Sequence, residues 1–116
     1  MSGSLPEKAA EKLQGYPAEL RAEAATYFDT ADANALDRFV YGVLEFLMPS
    51  PPEGGLAREP GDRTLREDLA IDSITIAEAV FLFEDIFEVS ISNEDLSRIA
   101  TLDDLRSYLH AKVKAG

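Results

Sequence analysis

Apolar residues recur at helical spacing along most of the chain, and no stretch alternates in the way that predicts a strand. The clearest pattern lies between Asp32 and Met48, where one apolar stripe comprises Leu36, Phe39, Val40, Val43, Leu44 and Leu47. Asp32 is a typical N-cap residue. The helix is expected to end at Met48, because three prolines and two glycines follow within seven residues. Residues 49–64 therefore form a long loop, which at this length is more often functional or mobile than inert.

A second helix is predicted to begin at Ser73, with Asp72 as its N-cap. One face of it contains Ile76, Ala79, Val80, Phe83 and Phe87. The pattern breaks over residues 89–93, after which Ser92 or Asn93 can cap a short helix that reaches Arg98. Thr101 is the expected cap of a last helix, whose apolar residues are Leu102, Leu105, Tyr108 and Leu109. The fold class that follows is all-α.

The first thirty residues are predicted to form a partly helical N-terminal extension, and residues 31–116 are predicted to form the main domain. Residues 1–16 are weakly patterned and are expected to be frayed. Residues 17–28 favour a helix, which is too short to be stable alone in water. Its larger apolar side chains, Leu20, Tyr27 and Phe28, can pack either on the helix that follows Asp32 or on a dedicated partner protein. The first is favoured, because only a short linker separates the two helices.

The amino-acid composition limits the kinds of functional site that this chain can contain. The chain has no cysteine, which excludes thiolate metal sites, and we expect no metal site of another kind. Its single histidine, His110, has no evident partner and is expected to be solvated, so a histidine-based triad is not expected. The N-terminus is polar and no apolar run approaches the roughly 20 residues of a membrane span. We therefore expect a cytoplasmic protein without membrane insertion.

The net charge of −11 makes nucleic acid and anionic lipid poor partners. Eleven acidic and three basic side chains lie between Leu65 and His110, so the excess is concentrated in one segment. Such a concentration favours an electrostatic docking surface for basic protein faces.

That segment, LREDLAIDSITIAEAVFLFEDIFEVSISNEDLSRIATLDDLRSYL, resembles the acyl carrier protein family throughout. The central match consists of Glu67-Asp68-Leu69 and, after an interval of two residues, Asp72-Ser73-Ile74. Together these residues are similar to the family's Asp-Leu-Gly-x-Asp-Ser-Leu. Further matching positions are Glu78, Glu84, Phe87, Ile91, Ile99 and Tyr108. With the preceding helix and loop, the resemblance covers about residues 32–113. The chain departs from the family pattern in three respects. Ala70 and Ile74 replace the usual glycine and leucine, the loop before Ser73 is longer than in the short family form, and the first thirty residues have no counterpart in a minimal carrier. The added N-terminal extension suggests a specialised carrier.

The resemblance implies an acyl-carrier-like four-helix bundle with a long loop after its first helix and the added N-terminal extension. It also implies a carrier rather than an enzyme: Ser73 would hold a covalent 4′-phosphopantetheine arm from coenzyme A, on which acyl intermediates are tethered as thioesters. Asp72 would serve both as the helix cap and in recognition by the phosphopantetheinyl transferase. The other expected partners are acyl-activating, condensing or acyltransferase enzymes of fatty-acid, other lipid, polyketide or related biosynthesis, and the carrier itself is expected to be a monomer.

Two further groups of residues are predicted from the pattern together with the resemblance. The partner-binding group combines two apolar residues seven positions apart with four acids: Ile74, Phe81, Glu78, Glu84, Asp85 and Glu88. The second group forms the core and, by the resemblance, contacts a tethered acyl chain: Phe83, Phe87, Ile91, Leu96, Ile99 and Leu105. Since Phe83 and Leu96 are bulky, a pocket among them is expected to be small.

Two alternatives stay open. One is an aminoacyl carrier, for example of the D-alanyl type. The Gly-Gly-His/Asp-Ser motif of peptidyl carriers is absent, since Leu69-Ala70-Ile71 precedes Asp72-Ser73. The other alternative is an unmodified acidic helical adaptor that has kept the carrier fold for its surface.

Overall fold

A computed structural model describes residues 5–115, and within that range the secondary structure is helical, without strands. The elements are α1 (Glu7–Lys12), α2 (Ala18–Thr30), α3 (Ala33–Leu47), α4 (Ser73–Phe87), α5 (Asn93–Ser97) and α6 (Leu102–Ala115), with a short 3-10 turn at Leu56–Arg58. The all-α prediction is thus confirmed. No helix in the described range is long and apolar enough to cross a membrane.

The predicted helix caps are present. At each of four N-termini a side-chain oxygen accepts a hydrogen bond from a backbone N–H two or three residues later; the caps are Asp32, Asp72, Ser92 and Thr101. Such caps satisfy N–H groups that have no carbonyl partner within the helix. Helix α3 ends at Leu47, one residue before the predicted end, where the proline-rich loop begins.

The core is built around α3 and α4. The apolar stripe of α3 is almost fully buried from Leu36 to Leu44, and Ile76, Val80 and Phe83 of α4 are buried as well. The ring centroids of Phe39 and Phe83 lie 6.1 Å apart. Helix α6 packs against α3 and contributes Leu102, Leu105 and Leu109 to the same core.

The expectation that residues 1–16 are frayed is wrong for the described part of this segment. Residues 7–12 form α1, which packs on α4, and the side chains of Ala9 and Leu13 are 1% and 0% exposed. The Arg21 guanidinium donates to the carbonyl oxygens of Leu13 and Tyr16, at 3.0 and 3.1 Å. These bonds hold the turn that links α1 to α2.

Contact between α1 and α4 also explains burial that the sequence pattern did not indicate. Leu82 and Ile86 of α4 are 7% and 2% exposed. They flank Asp85 at helical spacing, and the Asp85 carboxylate lies 3.5 Å from the Lys12 ammonium. This side of α4 therefore faces α1.

Helix α2 packs along α3, as expected for the extension. Leu20 and Ala24 are buried, and Leu20 lies so close over Gly42 that a side chain at position 42 would collide with it. Tyr27 and Phe28 pack on Phe87 of α4, with centroid distances of 6.0 and 5.7 Å. The extension thus shares one core with the remaining helices, and its contacts reach α4 as well as α3.

The long loop between α3 and α4 is anchored at several points. The side chain of Leu56 is fully buried, and its backbone N–H donates to Glu45 Oε2 at 2.6 Å. Near the loop's end, the N–H of Leu65 donates to the carbonyl of Ala100 at 2.8 Å, and the N–H of Leu102 donates to the carbonyl of Arg63 at 3.1 Å. These bonds tie the segment before α4 to the start of α6.

The prediction that His110 is solvated and unpartnered is wrong. Its Nε2 lies 2.7 Å from Asp37 Oδ1, and the imidazole is half-buried. The Arg106 guanidinium also lies 3.7 Å from this carboxylate. Asp37 therefore links α3 to α6 through a polar contact.

Candidate functional site

Ser73 is the first residue of α4 and is exposed. Asp72, directly before it, has extended backbone angles, and its Oδ1 accepts a hydrogen bond from the Thr75 N–H at 2.8 Å. Hydrogen bonds from the backbone and then the side chain of Thr75 lower the pKa of the Asp72 carboxyl below its ordinary value. The site therefore places an accessible hydroxyl beside an ionised carboxylate at the N-terminus of a fifteen-residue helix.

The segment before Ser73 is held by local hydrogen bonds. Thr64 and Asp68 exchange two of them: the Thr64 N–H donates to the Asp68 carboxylate at 3.0 Å, and the Asp68 N–H donates to Thr64 Oγ1 at 2.9 Å. The N–H of Ile71 donates to the carbonyl of Leu65 at 2.8 Å, and the Ile71 side chain is 2% exposed. Because Ile71 is anchored in the core, the two residues after it are presented at the surface.

Ala70 takes the left-handed conformation, with φ of +57°. Glycine adopts this conformation without steric cost, whereas a residue with a Cβ pays about 1–2 kcal/mol for it. The turn that positions Ile71 and Asp72 thus carries backbone strain at the position where the acyl carrier family typically has glycine.

The N-terminus of α4 can accommodate an anion. The first N–H groups of a helix have no intrahelical acceptor and lie at the positive end of the helix dipole. A phosphodiester on Ser73 Oγ would gain roughly 0.3–1 kcal/mol there at an exposed position. The residues present therefore fit a phosphate-linked arm.

The predicted partner-binding residues fall into two groups in the structure. Ile74 and Phe81 are 75% and 64% exposed, and Glu78 lies between them on the same face of α4, also exposed. Glu88 is exposed just beyond the helix, in a left-handed cap with φ of +55°. These four residues are accessible to a partner protein.

Glu84 and Asp85 have partners within the chain and are only partly exposed. Glu84 Oε2 accepts a hydrogen bond from the Ile91 N–H at 2.7 Å, which closes the turn after α4. Asp85 pairs with Lys12 of α1. Any docking role of these two acids would have to coexist with those contacts.

A cleft of about 350 Å³ lies between the start of α4, the segment before it and α5. Its walls are formed by Thr64, Leu65, Arg66, Glu67, Ile76, Leu96, Ser97, Ile99 and Ala100. Of the six residues predicted for an acyl pocket, Leu96 and Ile99 line it. Ile76 lies one turn after Ser73, a spacing that could have indicated its position beside the site.

The other four predicted pocket residues lie elsewhere in the fold. Phe83 and Leu105 are buried core residues, and Ile91 is half-buried. Phe87 is in an aromatic cluster with Phe39 and with Tyr27 and Phe28 of α2. Their assignment as core agrees with the structure, and their contact with a tethered chain stays a prediction.

No protein-family model matches this chain, and no solved structure matches it with a significant score.

Proposed function

We propose that this chain is an acyl carrier protein, with Ser73 as the attachment point of a 4′-phosphopantetheine arm. The observation that carries the proposal is the exposed Ser73 hydroxyl at the start of α4, directly after the capping carboxylate of Asp72. The all-helical fold and the sequence resemblance over residues 65–109 support it. By this proposal the protein is a substrate and shuttle, with the chemistry performed by its partner enzymes.

Attachment requires only that the Ser73 hydroxyl be accessible to the transferase and that the fold accommodate the attached arm. In the transfer, Ser73 Oγ bonds to the phosphorus that carries the pantetheine portion of coenzyme A, and the adenine-nucleotide portion leaves. The hydroxyl proton passes to a base on the transferase. Once attached, the arm would supply a terminal thiol on which acyl groups are held as thioesters. Asp72 would remain ionised beside the phosphodiester and keep α4 capped.

The cleft beside α4 is the best candidate for contact with a short cargo. Its apolar wall is formed by Ile76, Leu96 and Ile99, and Ile76 lies three residues after Ser73. Arg66 and Glu67 add charges to its lining. A mixed lining of this kind favours short acyl groups over long apolar chains, whose burial needs a larger apolar surface.

The test is modification in vitro with coenzyme A and a broad-specificity phosphopantetheinyl transferase, followed by intact-mass and peptide mass spectrometry. We expect one arm per chain, located on Ser73, and none on Ser73→Ala. The control is Ser90→Ala, which removes another exposed serine and should be modified like the wild type. An arm on Ser90 or Ser92, or modification of Ser73→Ala, would refute the proposal.

A folded wild-type chain that several transferases leave unmodified would favour the unmodified adaptor. If the chain is modified, loading of the arm distinguishes the two carrier classes. Transfer of an amino acid, but of no fatty acyl group, onto the modified chain would assign the aminoacyl type.

A further inference from the structure

Helix α1 lies on one side of α4, the helix that begins at Ser73. Leu82 and Ile86 on this side are 7% and 2% exposed, and the Asp85 carboxylate between them in the sequence pairs with Lys12 of α1 at 3.5 Å. We call Leu82, Asp85 and Ile86 the covered side. Access to these residues depends on whether α1 stays in place.

The side chains of α1 itself contribute little to holding it there. Within Glu7–Lys12 the only buried side chain is that of Ala9, and an alanine buries little apolar area. The ion pair between Lys12 and Asp85 joins side chains that are 47% and 42% exposed, and exposed pairs stabilise a fold only weakly. Helix α1 also has no side-chain N-cap and has six residues, too few for a helix to persist alone in water.

The turn after α1 is held by α2 rather than by α4. Leu13 is fully buried, and the Arg21 guanidinium donates to the carbonyl oxygens of Leu13 and Tyr16 at 3.0 and 3.1 Å. Residues 7–12 can therefore leave α4 while Leu13 and α2 stay in place. The detached segment would lose its helical hydrogen bonds, because it is too short to keep them alone.

We infer that α1 is a displaceable cover: residues 7–12 detach from α4 by local opening while the rest of the fold stays intact, and when closed they restrict access to the Ser73 site. The restriction of Ser73 rests on the proposed function, whereas the detachment does not. A standard interface buries about 800 Å² on each partner, a patch roughly 16 Å in radius. The covered side begins about 14 Å from Ser73 along α4, and α1 adds a layer about 10 Å thick there. An enzyme bound at Ser73 therefore competes with closed α1 for space.

Hydrogen exchange measured by NMR on the full chain tests the detachment. The N–H groups of Ala10 and Leu13 donate to carbonyl oxygens of the preceding turn, at 2.9 and 3.1 Å, and both bonds break when α1 opens. We expect their protection factors to be at least tenfold below those of Val80 and Phe83 in the buried part of α4. Equal protection would show that α1 opens only when the whole chain unfolds, and would overturn the inference.

Charge substitutions that loosen α1 should shift the same exchange rates. Lys12→Glu replaces the ion pair by repulsion from Asp85 and should lower the protection of Ala10 about fivefold. Adding Asp85→Lys to that variant restores an opposite-charge pair and should recover the protection. Lys8→Glu, the same charge change at an exposed position one turn earlier, is the control and should leave the protection unchanged. Circular dichroism verifies that each variant is folded.

The same variants test the restriction of Ser73 through kcat/KM for modification by a broad-specificity phosphopantetheinyl transferase. If only the open form reacts, kcat/KM should rise about fivefold in Lys12→Glu, in step with the open population, and should return to the wild-type value in the double variant. Modification of Ser73 at the same rate in all variants would refute the restriction and leave the proposed function standing. A wild-type chain that is not modified at all would refute the proposed function and with it the restriction, while the exchange rates still decide whether α1 detaches.

Discussion

The Glu84 carboxylate accepts a 2.7 Å hydrogen bond from the backbone N–H of Ile91, across the turn that ends α4. Glu78, six residues earlier on the same helix, is exposed. Two acids that the sequence assigned to a single docking group therefore differ in their structural surroundings. Glu84 stabilises the fold, and Glu78 is free to act in recognition.

This difference predicts that the same charge reversal has different effects at the two positions. Glu84→Lys should lower the free energy of unfolding by about 1–2 kcal/mol, because the Ile91 N–H loses its charged acceptor. Glu78→Lys should change it by less than about 0.5 kcal/mol. Glu78→Lys should instead raise the transferase KM, by an amount that shrinks with added salt. Urea denaturation and kinetics at two ionic strengths measure these effects, and equal stability of the two variants would contradict the assignment.

A second prediction concerns Ala70. Its φ of +57° is costly for alanine and not for glycine. Ala70→Gly should therefore raise the free energy of unfolding by about 0.5–1 kcal/mol, after the larger unfolded-state entropy of glycine is included. The control is Ala22→Gly, at an exposed position within α2, which should lower it by about 1 kcal/mol. Thermal denaturation of both variants tests whether the two substitutions change the stability in opposite directions. Destabilisation by Ala70→Gly would refute the argument.

The sequence predicted the helices from α2 to α6 because helix caps and helical periodicity depend on residues that are close together in the chain. Asp32, Asp72, Ser92 and Thr101 cap their helices through residues two or three positions away, and the stripe of α3 follows helical periodicity. The position of Ser73 at the start of α4 follows from the same local signal, the Asp72 cap, whereas its role as an attachment site stays a prediction that rests on the resemblance over residues 65–109.

What the sequence did not reveal depends on contacts between distant segments. Helix α1 has six residues and only small or isolated apolar side chains, so its burial requires the surface of α4. The burial of Leu82 and Ile86 in turn requires α1. Likewise, the partner of His110 lies 73 residues away at Asp37, and Phe46 packs against the ring of Tyr16 in the turn between α1 and α2. No periodicity in a single segment could show these relations.

The pH dependence of stability should include a contribution from Asp104. Hydrogen bonds from the N–H groups of Ala100 and Thr101, at 3.0 and 3.1 Å, lower the pKa of this carboxyl below its ordinary value of 3.8. A lowered folded-state pKa stabilises the protein above the unfolded-state pKa, and this contribution is lost as pH falls through the folded-state value. Asp104→Asn should therefore melt below the wild type at pH 7, and the difference should narrow below about pH 3. A difference in melting temperature that stays constant between pH 7 and pH 2.5 would contradict this prediction.

The last prediction concerns the N-terminal extension. Because Phe28 packs on Phe87, and Leu20 and Ala24 pack into the core beside α3, α2 should contribute strongly to stability. Phe28→Ala should lower the free energy of unfolding by about 2 kcal/mol, since the ring is half-buried and pairs with other aromatic rings. Phe81→Ala, which removes an exposed ring of the same kind, should change it by less than about 0.5 kcal/mol. Deletion of residues 1–30 should have a larger effect than Phe28→Ala, because it uncovers Leu82, Ile86 and Phe87 together.

Denaturant unfolding of the three variants gives the order of their stabilities. Mass spectrometry after transferase treatment shows whether Ser73 carries the phosphopantetheine arm. The site helix retains its cap and its contacts with α3 in Phe28→Ala, so this variant should still accept the arm on Ser73. If the deletion variant instead unfolds at the same denaturant concentration as the wild type, the packing of α1 and α2 on the other helices contributes little to stability. Loss of modification in a folded Phe28→Ala protein would place the boundary of the domain that we propose as a carrier before residue 31, with α2 as an integral part of it.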